Sequence, residues 1–424
     1  MNLSLSFDRV EGKIKAISSK SVAHRLLICA AFADAPTTIR CDETNNDITA
    51  TAECLAALGA RIEYNAPYYT VEPLKLSALR RCATLPCGES GSTLRFLLPV
   101  AAAIGADCSF ALCGRLPDRP LSPLREELYA HSIEFGGTKE EPCIRGSLSG
   151  SDFEIDGSVS SQFVSGLLFA LSLLDRDCTL TINGRLESAP YVDITCDALA
   201  LFGAPVEKCG NVYKIRAKGN LTTPKKIDVE GDWSNAAFPL ALGAIGGEIE
   251  VLGLNPNSSQ GDKAIIDILR RFGADICYRD DTRSYLAKRS QLRGIDIDAA
   301  QIPDLVPILA TVASVALGKT TIYGASRLRL KESDRLASVC DMLCSIGASA
   351  EQTDDGLIIY GKNELCGGIV DSYNDHRIAM SASVAASVCR SDILLQGAEA
   401  VKKSYPSFWE EMSKLGLKII DKTN

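Results

Sequence analysis

The chain has 424 residues, 46% hydrophobic and 23% charged, the composition of an ordinary globular protein with ample core. Its formal net charge of −8 excludes a general nucleic-acid surface, so an anionic ligand must be met by local groups of Lys and Arg. Val164–Leu174 and Leu305–Leu317 are the longest apolar runs and fall short of the roughly 20 residues of a membrane span, while Met1–Ile17 has no signal-peptide core.

Along the chain one phrase recurs: a hydrophobic helix end, a Gly, then a short strand. It stands at Leu58-Gly59-Ala60, Phe202-Gly203-Ala204, Phe272-Gly273-Ala274, Ile346-Gly347-Ala348 and Leu415-Gly416-Leu417. The last four glycines are about 70 residues apart, and a degenerate copy at Leu128–Ile133, ending in Phe135, fills the longer first gap. Before the Gly, apolar residues keep helical spacing, as in Ile266, Leu269 and Phe272. Gly can end the helix in a left-handed conformation, and Ala274–Tyr278 typifies the strand that follows. Six copies of one α/β unit, each too long for a solenoid repeat, suit two domains of three units. No low-complexity run or Pro/Gly/Ser linker separates them, so short crossings must join the domains.

The chemistry-bearing residues gather where helices begin. Ser18-Ser19-Lys20-Ser21 precedes a helical run in which Ser21 and Arg25 lie one turn apart. Cations there oppose the helix dipole, which favours an anion site over a solvated cap. Gly88-Glu89-Ser90-Gly91-Ser92-Thr93 is a small-residue loop opening a helix, and Arg115 and Arg119 share a Pro-braced loop. Ser158–Phe163, with Ser160, Ser161 and Gln162, and Glu187–Asp193, with Ser188 and Tyr191, read equally as caps or as anion ligands. Asp304 is a lone carboxylate entering an apolar helix. Arg327–Leu336 sets Lys331 and Arg335 at i,i+4 and Glu332 and Arg335 at i,i+3, as on one helical face with cations in its first turn. His376 and Arg377 follow Tyr373-Asn374-Asp375, and Lys402-Lys403-Ser404-Tyr405-Pro406 opens the final helix.

This pattern asks for one or two small ligands with several negative charges. No GxSxG elbow, Walker A lysine or Rossmann glycine triplet is present. Sixteen Cys with no CxxC pair, and only three His, read as small core residues such as Cys29, Cys54 and Cys196 in a reducing compartment, not as disulfides or zinc ligands.

At these residues, above all in Ser160-Ser161-Gln162-Phe163, Arg329–Leu336 and Tyr373–Met380, the chain resembles the EPSP synthase family of enolpyruvyl transferases over its whole length. The resemblance implies an α/β, two-domain enolpyruvyl-transferase fold of six βαβαββ-type units, three per domain, with the active site in the interdomain cleft. The expected domains are residues 1–16 plus 231–424, and 17–230. It also implies transfer of the enolpyruvyl group of phosphoenolpyruvate to the 5-hydroxyl of shikimate 3-phosphate through a tetrahedral intermediate, without cofactor or metal.

Carried over by residue, the shikimate 3-phosphate site is Lys20, Ser21, Arg25, Ser160, Ser161, Gln162, Ser188, Tyr191, Asp304 and Lys331. The phosphoenolpyruvate site is Lys20, Gly91, Arg119, Gln162, Arg335, Arg377 and Lys403. Asp304, Glu332, Lys20 and His376 are the catalytic group, with Asp304 as base toward the 5-hydroxyl and Glu332, helped by Lys20, as proton donor to C3. Gly91 implies sensitivity to glyphosate. Arg327 stands where some members have Asn, and Ser92 where Thr is common. A cytoplasmic monomer with no nucleic-acid or membrane partner is expected.

Two rivals remain. The sister enzyme that acts on UDP-N-acetylglucosamine uses a reactive Cys in its closing loop, whereas Gly114–Arg119 here has none and Cys113 lies just before it. An inactive anion-binding homologue would be expected to have lost one of Lys20, Asp304, Glu332 or Arg335.

Overall fold

Among the described residues twelve α-helices alternate in burial: α1 (Lys20–Ala31), α2 (Asn46–Leu58), α3 (Gly91–Ala103), α4 (Leu124–Ala130), α5 (Ser161–Ser172), α6 (Ala189–Leu201), α7 (Trp233–Gly246), α8 (Ile265–Phe272), α9 (Val306–Ala313), α10 (Arg335–Ser345), α11 (His376–Ala385) and α12 (Phe408–Lys414). The computed structural model describes residues 1–75, 82–217 and 221–423. The odd-numbered helices are rich in Ala and Leu and buried almost all round, as α5 and α9 show. The even-numbered ones keep polar residues outward, most clearly α8.

Each even-numbered helix ends at the repeated phrase. Gly59, Gly203, Gly273, Gly347 and Gly416 have φ of 121°, 73°, 100°, 87° and 100°, the region that costs an L-residue a Cβ clash. In the degenerate copy, Ser132 takes the same position after α4 with φ 74°. Its amide donates to Tyr129 O and that of Ile133 to Leu128 O, matching Gly203 to Ala200 and Ala204 to Leu199. The sixth copy therefore keeps the turn without the glycine.

Among the described residues six four-stranded sheets follow one plan: two parallel strands, then two antiparallel ones. In the fifth repeat, Asp296–Asp298 runs parallel to Lys319–Tyr323, which pairs antiparallel with Leu357–Tyr360, itself the hairpin partner of Ser349–Gln352. With a helix after each of the first two strands, the unit is βαβαββ. Three sheets are completed from far along the chain: Asn2–Phe7 pairs with Ile393–Gln396 and Leu417–Asp421, Glu11–Lys15 with Glu248–Leu252, and Lys226–Asp228 with Thr37–Arg40.

The chain forms two compact units, Met1–Ile17 with Glu230–Asn424, and Ser18–Val229. Each has its own apolar core around its odd-numbered helices, with Trp233, Phe238 and Phe408 in the first and Phe96, Phe163 and Phe169 in the second. The cysteines depart from the expected pattern. All are free thiols, but Cys82, Cys113, Cys209, Cys277, Cys344 and Cys366 are exposed, and Cys196 is only partly covered. Among the described residues no helix is long and apolar enough to cross a membrane.

Candidate active site

In the unit Ser18–Val229, side-chain bonds tie the starts of α1, α3, α5 and α6 together. Arg25, 2% exposed, donates through Nε to Thr195 Oγ1 (2.8 Å), through Nη1 to Ser21 O (2.6 Å) and through Nη2 to Tyr191 O (2.7 Å) and Ser165 Oγ (3.5 Å). It also lies over the Phe96 ring. These partners are all neutral, and burial lowers the guanidinium to about 10. A buried cation held this way is prepared for an anionic ligand.

Lys20 begins α1 as expected, but an anion of the chain already meets it: its Nζ lies 2.8 Å from Asp47 Oδ2. His24 shares hydrogen bonds with Thr51 Oγ1 (2.6 Å) and Ser92 Oγ (3.2 Å), and Thr51 with Thr93 (2.7 Å), joining α1, α2 and α3. Burial pushes His24 down to about 3, so this imidazole is neutral at working pH.

Ser90 caps α3, and Gly91 is its first residue. A Cβ at Gly91 would stand 2.7 Å from Arg119 Nη1 and 3.3 Å from Arg95 Nη1. Glycine therefore makes room for the Arg119 guanidinium, whose buried Nε finds no hydrogen-bond partner among the described residues. Ser160 caps α5 by accepting from Gln162 N (3.3 Å), buried Ser161 opens that helix, and Gln162 Oε1 accepts from Arg95 Nη1 (2.7 Å). Ser188 precedes α6 with φ 53°, a left-handed conformation in a non-glycine residue. Such strain collects at functional positions.

The unit Met1–Ile17 with Glu230–Asn424 builds a second cluster around Arg335, which is 1% exposed. Its Nε donates to Asp375 Oδ2 (2.7 Å), Nη1 to Asp304 Oδ1 (2.8 Å) and Nη2 to Glu332 Oε2 (2.8 Å). Burial alone would lower this guanidinium, but Asp375, Glu332 and Asp304 raise it above its ordinary value. Asp304 in turn meets Lys331 Nζ at 3.7 Å and Arg377 Nη2 at 3.3 Å. Burial would push its carboxyl up, yet Arg377, Lys331 and Arg335 hold it well below the usual range. Arg377 also donates to Asp304 O (2.9 Å) and Ser234 Oγ (2.7 Å), which joins α7, α9 and α11 at their starts.

Two expectations of local structure need correction. Lys331 and Glu332 do not share a helix with Arg335: a 3-10 turn spans Ser326–Leu330, and α10 begins only at Arg335 behind the Asp334 cap. The Asp334 carboxylate satisfies the Ala337 amide (3.2 Å), which ends the helix there. Lys403 closes a 3-10 stretch, Ala398–Lys403, and the last helix starts later, at Phe408. His376 is buried at the start of α11, its Nδ1 3.9 Å from Asp375 Oδ1, behind Tyr373 and Asn374 with φ of 52° and 53°.

Asp47, Arg95, Ser165, Thr195, Asp262 and Asp375 were not singled out from the sequence. Asp375 had a visible signal, an Asp directly before a helix, where it accepts from Arg377 N (3.0 Å) and Ser333 Oγ (3.1 Å). Asp262 lies buried in the turn Gly261–Ala264. Burial and the nearby Asp304 push it up to about 6, against the pull of Arg377 and Ser234. Among the described residues no cluster of three or more His, Cys, Asp or Glu is arranged to hold a metal ion.

The two clusters offer buried cations, an ionised carboxylate flanked by three cations, and a second carboxylate on the same arginine. A profile described as EPSP synthase (3-phosphoshikimate 1-carboxyvinyltransferase) matches residues 6–412. The chain is 42% identical to the 3-phosphoshikimate 1-carboxyvinyltransferase of Clostridium kluyveri, covering 98% of this chain and 97% of that one. It is 38% identical to the protein of the same name from Brachyspira hyodysenteriae, over 99% and 100%. An EPSP synthase structure from Acinetobacter baumannii superposes with a TM-score of 0.82 at 27% identity, over 100% of both chains. The enolpyruvyl transferase NikO from Streptomyces tendae, at 19% identity and a TM-score of 0.80 over 99% and 98%, shares the fold. The chain belongs to the EPSP synthase (3-phosphoshikimate 1-carboxyvinyltransferase) family.

Proposed function

We propose that the chain transfers the enolpyruvyl group of phosphoenolpyruvate to the 5-hydroxyl of shikimate 3-phosphate, releasing phosphate. The observation that carries this reading is Asp304, a half-buried carboxylate held ionised by Arg377, Lys331 and Arg335. With those cations unshared, Asp304 is a weak base. A bound phosphoenolpyruvate draws Arg335 and Arg377 onto its own negative charge, which raises the basicity of Asp304 at the moment the 5-hydroxyl must lose its proton.

The reaction then balances in two stages. The 5-oxygen bonds to C2 as its proton passes to Asp304, and C3 takes a proton from Glu332, which gains it from solvent once phosphoenolpyruvate draws Arg335 away, with Lys20 assisting. In the second stage the bond from C2 to the bridging oxygen breaks, phosphate leaves with the proton held by Asp304, and C3 returns its proton to Glu332 to give the enol ether. Lys20, Gly91, Arg119, Gln162, Arg335, Arg377 and Lys403 are assigned to phosphoenolpyruvate, Gly91 by leaving space for Arg119. Ser160, Ser161, Gln162, Ser188, Tyr191, Lys20, Ser21 and Lys331 are assigned to the acceptor, with Arg25 opposite its ring carboxylate and Asp304 at its 5-hydroxyl. His376, buried with its Nδ1 3.9 Å from Asp375 Oδ1, is assigned to the catalytic group together with Glu332. Cations around one small anion lower the barrier by positioning and charge stabilisation. The sixteen free thiols favour a cytoplasmic setting, and we assign a monomer.

Phosphate release tests this reading, with phosphoenolpyruvate plus either shikimate 3-phosphate or UDP-N-acetylglucosamine. Turnover with the first acceptor alone is expected. Turnover with the second alone would transfer the chain to the sister activity, although its Gly114–Arg119 segment has no Cys. Silence with both would leave an anion-binding protein.

A further inference from the structure

Lys331, Glu332 and Ser333 belong to neither helix nor strand. They bridge the 3-10 turn Ser326–Leu330 and the Asp334 cap of α10. Backbone of this kind takes its order from outside partners; besides the side-chain contacts of Lys331, Glu332 and Ser333 with Asp304, Arg335 and Asp375, they come from the hairpin of the same repeat, Ser349–Gln352 and Leu357–Tyr360.

Asp355, in the turn of that hairpin, accepts three successive backbone amides at the entry to the segment. Gly324 N reaches Oδ2 at 2.8 Å, and Ala325 N and Ser326 N reach Oδ1 at 3.1 and 3.2 Å. Arg329 serves the exit. Its Nη1 donates to Asp334 Oδ2 (3.0 Å) and Gln352 Oε1 (3.1 Å), its Nη2 to Thr353 O (2.7 Å) and its Nε to Asp354 O (3.4 Å). The α10 cap is thereby fastened to the turn that fixes the entry. Neither side chain hydrogen-bonds to Asp304, Lys331, Glu332, Arg335 or Arg377, so both act on the cluster only through the backbone between them.

We propose that Arg329 and Asp355 are positioning residues that clamp the 324–334 segment and thereby set Glu332 where it must protonate C3. The proposal rests on the role given to Glu332 above. An error of about 1 Å in such a group can cost 100-fold in rate, whereas binding of two multiply charged substrates is shared among many other residues. Loosening the clamp should therefore lower kcat and leave both KM values nearly unchanged.

The test compares the wild type with Arg329→Ala, Asp355→Asn and Asp354→Asn; the Asp354 side chain takes no part in the clamp. Arg329→Ala and Asp355→Asn are expected to lose roughly 10- to 100-fold in kcat, with KM values within about threefold and wild-type kinetics for Asp354→Asn. Incorporation of solvent deuterium into C3 of phosphoenolpyruvate should fall in parallel with kcat. Hydrogen exchange, read without substrate, should quicken over residues 326–334 and not over the rest of the unit. If Arg329→Ala fails to fold, Arg329→Lys carries the test, since it keeps the charge and loses the fork. Both clamp variants within twofold of wild-type kcat, raised KM at unchanged kcat, or unaltered exchange over 326–334 would overturn the clamp. An inactive wild type would instead overturn the functional reading and leave the exchange result to decide the clamp.

Discussion

Arg335 Nη1 lies 2.8 Å from Asp304 Oδ1, and the other nitrogens of that guanidinium hold Glu332 and Asp375. A cation on the first residue of a helix faces the unfavourable end of the dipole. The three carboxylates offset that cost, and Arg377, Lys331 and Arg335 together hold Asp304 ionised. Asp304 and Arg335 are thus one bonded group, in which an anion taken by the arginine changes the carboxylate.

Replacing Asp304 with Ala is expected to lower kcat at least about 100-fold, and near-wild-type turnover would reassign the base. The same carboxylate contributes to stability. Its folded pKa is depressed, so the contribution is present above the ordinary carboxylate value of about 4 and is lost as pH falls through the folded value. Asp304→Asn should lower stability by roughly 3 kcal/mol at pH 7. Denaturant midpoints of the two proteins should converge as pH falls below about 4.

Asp262 should behave in the opposite sense. With its carboxyl raised to about 6, the folded chain binds more protons than the unfolded chain between about pH 4 and 6, so this residue lowers stability as pH rises through that window. Asp262→Asn removes the titration. Relative to wild type it should gain up to roughly 3 kcal/mol between pH 4 and pH 8, seen as unfolding midpoints that separate with rising pH. Parallel midpoints would show that Asp262 titrates normally.

Gly91→Ala places a methyl group 2.7 Å from the present position of Arg119 Nη1, so that side chain must move. The KM for phosphoenolpyruvate should rise roughly 10- to 100-fold, with a smaller change for shikimate 3-phosphate. Glyphosate should inhibit the wild type when phosphoenolpyruvate is near its KM, and inhibit Gly91→Ala less. Full wild-type activity at millimolar glyphosate, or an unchanged KM in the variant, would contradict this geometry.

Arg25→Met keeps most of the side-chain volume and removes the charge and its four neutral hydrogen-bond contacts. If the guanidinium pairs with the acceptor's carboxylate, the KM for shikimate 3-phosphate should rise at least about 30-fold. The KM for phosphoenolpyruvate should change little. Equal effects on both substrates would assign Arg25 to packing of α1 against α6.

Much of the fold was legible because the repeat is written locally. A glycine after an apolar helical stripe specifies a turn wherever it stands, and five copies carry it. The sixth was legible only as a degenerate copy at Leu128–Ile133, because the left-handed φ of 74° at Ser132 leaves no mark in the residue type. Pairing of Asn2–Phe7 with Ile393–Gln396 had no such signal, since backbone pairing across the chain leaves no local pattern. The same distinction runs through the site. Lys20 and Arg335 stood out as cations at the wrong end of a helix, while their partners Asp47 and Asp375 lie 27 and 40 residues away. Lys331 and Glu332 have helical spacing to Arg335, but the Asp334 cap sets the helix start after them.

The most direct measurement uses phosphoenolpyruvate labelled with oxygen-18 in the bridge between C2 and phosphorus, incubated with the protein and shikimate 3-phosphate. Addition to C2 followed by elimination breaks the bond from carbon to the bridging oxygen. All of the label should then leave in the released phosphate, and the enol ether should carry the acceptor's unlabelled 5-oxygen. Label found in pyruvate or retained in the organic product would place cleavage at phosphorus and contradict enolpyruvyl transfer with Asp304 as its base.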